Sequence, residues 1–351
     1  MTILGWHHIT LVCADARRTI DFYTRVLGLR LIKKTVNFDA PESYHLYFGN
    51  YEGAVGSAIT FFEWAEAPRG IVGVGGTHHF ALRVPDRTAL LKWKRWLHDH
   101  AVRVEGIFNR KYFESIYFRD PDGCLIELAT DTPGFTVDEP AESLGTAHQV
   151  PPPELTARQR DSAALAAEMW QEPIEAITPD MALTHGLHHI SAICSNLERT
   201  HAYYNGLLGL RLVKMTEDFD GSGARHWYWG IGEGRVGTLI TYFERTNSAR
   251  RAQIGVGQTH HFAFAVPNAA SQLEWREKLL SAGLPVSPVM DRIYFKSIYT
   301  RDPDGHIVEL ATVDPGFTAD EPLESLGSAL KLPPWLEPQR AVLERLLPPL
   351  P

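Results

Sequence analysis

Two stretches of the chain carry one pattern of apolar and polar positions. Residues 291–312 read DRIYFKSIYTRDPDGHIVELAT. An aromatic and β-branched run over about 293–300 suits a pleated strand, and Asp302-Pro303-Asp304-Gly305 supplies a tight turn. A second run follows from about 306 to 312. Period-two alternation there sends Val308 and Leu310 to one face and Ile307, Glu309 and Ala311 to the other. Val308 and Leu310 make a core face, so Glu309 is the one ionisable group in the middle of the opposite face. A carboxylate in that position needs water, a cationic partner or a metal. Residues 109–130, NRKYFESIYFRDPDGCLIELAT, repeat the stretch with Glu127 in the place of Glu309, 182 positions earlier. The chain is a tandem duplication.

Further periodicity divides each half in two. Four apolar strands open on a His-His pair: His7-His8 (GWHHITLVC), His78-His79 (GTHHFALRV), His188-His189 (GLHHISAIC) and His260-His261 (QTHHFAFAV). The spacing is about 70 residues within a half and about 181 between halves, which gives four modules. After the first strand, residues 15–27 place Ile20, Tyr23, Val26 and Leu27 on a helical face, and Gly28 suits the position just past the helix end. Residues 197–208 with Gly209 repeat this, and helices are also expected at about 87–101 and 269–282. The remaining segments are strand-like and glycine-punctuated, as in YHLYFGNYEGAVGSAITFFE and RHWYWGIGEGRVGTLITYFE. The order β-α-β-β-β predicts an α+β protein with antiparallel-rich, curved sheets backed by helices.

The expected organisation is a module pair at 1–149, a linker at 150–180, a second pair at 181–328 and a tail at 329–351. The linker begins with three prolines, and LTARQRDSAALAAEMW within it predicts a surface helix. The proline-rich tail is expected to cap one half without chemistry. At 351 residues, with 44% hydrophobic and 22% charged residues, each half can bury a core of its own. A net charge of −8 without a Lys/Arg run argues against nucleic acid as a partner. No apolar run reaches transmembrane length, and MTILGWHHIT is unlike a signal peptide, so the expectation is no membrane partner and a cytoplasmic location. Three cysteines without CxxC spacing give no disulfide framework or zinc knuckle, and Cys13 and Cys194 fit small core residues on strands.

Alternation places His261 on one face with Ala263 and Ala265, His8 with Thr10, and His189 with Ser191. Small residues beside each second His suit the lining of an open cup. Taken one at a time, such histidines are strand residues satisfied by the backbone, and Glu127 and Glu309 are surface carboxylates. Four pairs at module starts, with Glu recurring 48 residues after the second His of modules two and four, favour a metal. Two His and one carboxylate with open positions form the facial triad of non-haem Fe(II), usable also by Mn(II). The grouping of the six ligands is open. A sequential pairing joins His8 with His79 and Glu127; a crossed pairing joins His8 with His261 and Glu309.

The βαβββ modules, the GxHHI start, THHFAFAVP, and RxYFxSxYxRDPDGxxxELAT followed by PGFTxDE and ESLG resemble the vicinal oxygen chelate superfamily. Within it the chain is similar to ring-cleaving dioxygenases of hydroquinones and catechols, over nearly its whole length apart from linker and tail. The resemblance implies four modules forming two curved mixed-sheet cups and an extradiol-type Fe(II) dioxygenase, with a small dihydroxylated aromatic and O2 as its partners. It implies His8, His261 and Glu309 as iron ligands, supported by His7, Thr10, His260, Arg292 and Tyr299. The equivalent set His79, His189 and Glu127, with His78, His188, Ser191, Arg110 and Tyr117, is a candidate second metal site. Arg292 and Tyr299 are seven residues apart, so a bulge or bend near Ile293 is needed for both to reach one site. Trp6, Tyr294, Phe295 and Trp227 are candidate pocket walls. Two other functions remain: a glyoxalase-type isomerase, which needs a second carboxylate ligand for which Glu63 and Glu244 are the nearest acids, and a metal-free aromatic-binding module. Assembly into a homo-oligomer is compatible with all three.

Overall fold

The computed structural model describes residues 1–245 and 249–350. Each module forms a strand, a helix and three further strands. In the first, Gly5–Cys13 leads to a helix over Ala16–Asp21, capped by the Asp15 side chain and continued as a π-helical turn over Phe22–Val26. Gly28, with φ of 68°, ends the turn in the left-handed conformation that favours glycine. Strands Arg30–Asn37, Ala40–Gly49 and Ala58–Glu63 follow. The fourth module runs Thr259–Val266, helix Ala269–Ser281, Met290–Asp291, Lys296–Arg301 and Ile307–Thr312.

One compact unit joins the first and last modules of the chain and the other the two middle ones. One comprises Met1–Ile71, Gln253–Arg301 and His306–Pro351, hence modules one and four; the other comprises Val72–Ala252 with Asp302–Gly305, hence modules two and three. The halves 1–149 and 181–328 describe the repeat in sequence, and the compact units cut across them. Each unit carries one nine-stranded mixed sheet. In the first unit Gly5–Cys13 sits at the centre, antiparallel to Thr259–Val266 and parallel to Ala58–Glu63.

Strand register, rather than sequence proximity, assembles the site. His8 lies beside Ala263, Ala263 beside Glu309, and Glu309 beside Tyr299, so one row crosses four strands on one face. In the next row Thr10 lies beside His261 and Thr60, and Thr60 beside Tyr47. Ala263 is fully buried between His8 and Glu309, and its small side chain leaves the space into which the larger groups converge. The opposite face is apolar: Phe262, Phe264, Val308 and Leu310 are buried there, with Trp6 stacked on Phe264 at 4.4 Å. The second unit repeats the rows with His189, Ala81, Glu127 and Tyr117.

The PGFTxDE and ESLG segments form a strap that ends each half. In the first unit, Lys33 is fully buried on the same face as Tyr47 and is held by Asp320 (2.6 Å) and Glu321 of the strap. Its ammonium also lies 4.7 Å from the centre of the Tyr294 ring. Phe317 of the strap packs on Tyr47 at 5.2 Å, closing the core beneath the cup. Lys214, Asp138 and Glu139 repeat the arrangement in the second unit.

The linker departs from expectation. Its helix covers only Ser162–Ala167 rather than the whole LTARQRDSAALAAEMW stretch. Asp161 caps the start by accepting from Ala163 N and Ala164 N, and the Lys94 ammonium ends it by taking the carbonyls of Leu165, Ala166 and Glu168. All three cysteines are buried and none forms a disulfide. Among the described residues no helix is long and apolar enough to cross a membrane.

Candidate active site

In the first unit His8, His261 and Glu309 are buried and face one point. The His8 and His261 Nε2 atoms are 3.3 Å apart, and Glu309 Oε2 lies 3.3 Å from the first and 2.9 Å from the second. In the second unit His79, His189 and Glu127 repeat the triangle at 3.3, 2.8 and 3.3 Å. Of the two groupings open from sequence, the crossed one is observed.

Proton positions on the first triangle follow from a backbone carbonyl. His7 Nε2 is 3.1 Å from Thr312 O, which can only accept, so this nitrogen carries the proton. Burial, then the neighbouring His8, lowers the His7 pKa to about 3, so the ring is neutral and its Nδ1 is an acceptor. His8 Nδ1, 2.8 Å away, must therefore donate, and Nε2 is the His8 nitrogen aimed at the triangle. Thr130 O, His188 and His189 form the same chain in the second unit. His260 and His78 bond their own neighbours, His261 and His79, at 2.8 Å through Nδ1.

The carboxylate is set with equal care. Burial alone would push the Glu309 carboxyl up, but the facing His8 and His261 hold it well below the usual carboxylate range. Its Oε1 accepts from Ser297 Oγ, while Oε2 is buried without a hydrogen-bond donor. Glu127 is equivalent, with Ser115 on Oε1 and Oε2 unsatisfied. A carboxylate oxygen and two imidazole nitrogens that converge to within 3.3 Å are an arrangement that a divalent cation satisfies in place of shared protons. The residues present therefore fit a metal at both triangles. Removing the serine should loosen the carboxylate: Ser297→Ala is expected to weaken metal binding in the first cup by about 10–100-fold, measured by competition with a chelator.

Above the first triangle the sheet curves round a pocket. Its inner part touches His8, His45, Tyr47, Phe295, Arg292 and Tyr299. The outer part, about 630 Å³, is bordered by Asn37, Asp39, Phe62, Trp64, His260 and residues 285–287. Arg292 and Tyr299 do reach one site. The bend is a turn in which Ile293 takes φ of 69° and its amide bonds Asp291 Oδ1 at 2.8 Å. Arg292 is then 5.6 Å from the Tyr299 ring centre and bonds Asp39 at 3.0 Å. Burial and Glu309 push the Tyr299 phenol pKa up, so it keeps its proton. Arg110 and Tyr117 occupy the same places in the second cup, 5.3 Å apart by the same measure.

Sequence reasoning missed a polar chain along the wall. Thr10 is beside His261 but its hydroxyl turns to the wall: it bonds Thr60 at 2.8 Å, Thr60 bonds His45 Nε2 at 3.0 Å, and His45 Nδ1 bonds the Tyr47 hydroxyl at 3.0 Å. Ser191, Thr241, His226 and Tyr228 form the matching chain. The signal was present in the duplication, since His45 and His226 are 181 positions apart, as are Tyr47 and Tyr228. Ser115 and Ser297 were visible in the same way. Of the four proposed wall aromatics, Phe295 contacts the cup, 5.2 Å from the His8 ring. Trp6 packs on the apolar face, Tyr294 lies in the core beside the strap, and Trp227 stacks away from the cup with Arg225. Glu63 and Glu244 are outside the triangles: they accept from the amides of Ala16 (2.8 Å) and Leu197 (3.1 Å) at the starts of helices.

Curved mixed sheets built from paired βαβββ modules, each with a His-His-Glu triangle on its concave face, define a class, and comparison with known proteins agrees. The Glyoxalase/Bleomycin resistance protein/Dioxygenase superfamily matches residues 5–128 and 186–310, and the chain belongs to it. MhqA of Bacillus subtilis, provisionally named a ring-cleaving dioxygenase, is 32% identical over 350 residues, covering 100% of both chains. The chlorohydroquinone/hydroquinone 1,2-dioxygenase of Sphingobium indicum is 30% identical over 95% of this chain and 92% of its own. A crystal structure of a provisionally assigned Bacillus subtilis dioxygenase superposes with a TM-score of 0.79 at 31% identity, covering 100% of this chain and 98% of that one.

Proposed function

We propose that the chain is a ring-cleaving dioxygenase of extradiol type that uses Fe(II), with Mn(II) as the alternative, and O2 to open a dihydroxylated aromatic ring. His8, His261 and Glu309 hold one metal and His79, His189 and Glu127 a second. The observation that carries this reading is the convergence of three buried electron-pair donors at the floor of an aromatic-lined cup, with one carboxylate oxygen lacking any donor. Relatives named as ring-cleaving dioxygenases over the whole length support it. A metal held there supplies positive charge and open positions at which a phenol is acidified and O2 is brought beside the ring.

The chain's own residues then have defined tasks. His7 and His260 fix the ring orientation of the ligands through their Nδ1 atoms. Tyr299, protonated and beside Glu309, offers a hydroxyl proton to an oxygen that gains negative charge. Arg292 presents a fixed cation at the same place, and Phe295 and Phe62 exclude water from the ring faces. The chain from Tyr47 through His45 to Thr60 and Thr10 can hold or pass a proton along the wall. An isomerase reading loses its fourth ligand, because Glu63 and Glu244 are committed to helix starts.

The test is metal analysis after anaerobic purification together with O2 uptake on a panel of hydroquinones and catechols. Two equivalents of iron or manganese per chain and one O2 consumed per ring opened are expected. Bound zinc or nickel without uptake would favour the isomerase, and absence of metal the binding module. The absorption spectrum of the product fixes which ring bond is cut.

A further inference from the structure

The two cups share their ligands, their Arg–Tyr pairs and their polar chains, but their rims differ. Trp64 and Asn37 of the first cup correspond to Arg245 and Asp218, each 181 positions on, and Met290 corresponds to Phe108, 182 positions back. Arg245 lies 3.8 Å from Asp218, so that exchange puts an ion pair where the first cup has a neutral pair and leaves the charge unaltered. Arg292 is held by Asp39 at 3.0 Å and Arg110 by Asp220 at 3.4 Å, again an even exchange.

Arg160 is the remainder, and it comes from the linker. Its guanidinium lies 3.9 Å from the centre of the Phe108 ring, and its Nη1 is 3.8 Å from the Asp220 carboxylate that Arg110 already uses. Its Nε and Nη1 atoms are buried and donate to nothing. Burial first, then Arg110 beside it, pulls its pKa below the ordinary guanidinium value. Glu105, the other carboxylate that acts on it, is paired with Arg103 at 3.3 Å. Arg119 matches Arg301 of the first rim, so Arg160 leaves the second rim with one positive charge more than the first. In the first unit the position 182 residues on is Val342, 48% exposed on the helix Arg340–Leu346.

The linker that carries Arg160 is docked. Ala157 N bonds Phe219 O at 2.9 Å, the Lys94 ammonium holds the carbonyls of Leu165 and Glu168 at 2.6 Å, and Arg87 grips both Glu168 oxygens at 2.6 and 2.7 Å. A guanidinium lying over an aromatic ring, with unused N–H groups beside a second guanidinium, is built to receive a planar anion.

We propose that the second cup selects a dihydroxylated ring bearing a carboxylate, held jointly by Arg160 and Arg110, whereas the first cup takes the uncharged ring. The inference rests on the reading of both cups as ring-cleaving centres. The linker then acts as the specificity element of one cup, a role that a mere connection between repeats would not have.

The experiment uses the full chain, metal-loaded and anaerobic, with hydroquinone and 2,5-dihydroxybenzoate as probes in titration calorimetry. Glu309→Ala removes the first centre and isolates the second. In that background the carboxylated ring is expected to bind about tenfold or more tightly than hydroquinone, and Arg160→Met to remove the preference by weakening the acid alone. Arg160→Lys, which keeps the charge without the fork, should fall between. Inorganic phosphate should not displace the acid. Equal binding of the two rings, an Arg160→Met variant with unchanged preference, or displacement by phosphate as from a plain anion site would each overturn the proposal. Metal content and thermal unfolding of each variant show that the cup is intact. The parallel O2 measurement separates the two readings: without uptake on any ring the dioxygenase assignment fails while a binding preference set by Arg160 still stands or falls on its own. Uptake on both rings with selectivity indifferent to Arg160 removes this inference alone.

Discussion

Replacing Glu309 with alanine should lower the bound metal from two ions per chain to one and abolish turnover in the first cup. The carboxylate supplies the anionic corner of the triangle, and among the described residues no other acid joins both imidazoles in a metal-sized cluster. Electrostatic assistance by a metal is worth several kcal/mol, and about 1.36 kcal/mol corresponds to a factor of ten, so the loss should be on the order of 10³-fold. Glu127→Ala should do the same to the second cup, and the double variant should bind no metal and consume no O2. Stability provides the control. The unfolding temperature of the variant apoprotein, which loses the Ser297 bond to Glu309 Oε1, is the baseline. What should vanish is the rise in that temperature when metal is added, since binding to the folded state is the source of that rise. A variant that keeps two metals, or that loses activity only because its apoprotein unfolds, would contradict the assignment.

Much of this was legible because the chain contains its own second copy. The alternation around Glu309 predicted an acid on the face opposite Val308 and Leu310, needing water, a cation or a metal, and all three side chains are buried. The His-His starts identified all four histidines of the triangles. Pairing was not legible, because it depends on which module starts lie side by side. Gly5–Cys13 could pair with either Gly76–Val84 or Thr259–Val266, which have nearly the same sequence. His45 and Tyr47 went unread since a lone His on an aromatic strand has no ligand partner at short spacing. Only comparison of the halves marks it. The linker helix was overestimated for a local reason: the LTARQRDSAALAAEMW stretch has helical composition throughout, yet Asp161 restarts the hydrogen bonding in its middle and Lys94 takes the carbonyls at its end.

The strap gives the second large effect. Lys33→Met should destabilise the first unit by about 3–5 kcal/mol, the usual consequence of removing one partner from a buried ionic cluster. Lys33 has no exposed surface, Glu321 has 3% of its side chain exposed, and Asp320 has 27%. Without the ammonium, the Glu321 carboxylate retains contacts at 3.4 Å with the amides of Gly327 and Ala329 and the charge of Lys34 nearby. Asp320 retains the Tyr294 hydroxyl at 3.0 Å. The loss is measured as a fall in the urea midpoint, and Lys214→Met should produce a smaller fall, because Lys111 keeps Asp138 paired at 2.6 Å. If the unpaired carboxylates are the cause, Lys33→Met combined with Asp320→Asn and Glu321→Gln should recover most of the stability, since neutral amides are far cheaper to bury than an anion. A cost below about 1 kcal/mol for Lys33→Met alone would mean that the carboxylates reach water and that packing of Phe317 holds the strap. The cup should report the same event. Phe317 supports Tyr47, so a loosened strap frees the end of the His45 chain and should slow turnover in the first cup while its metal content is retained.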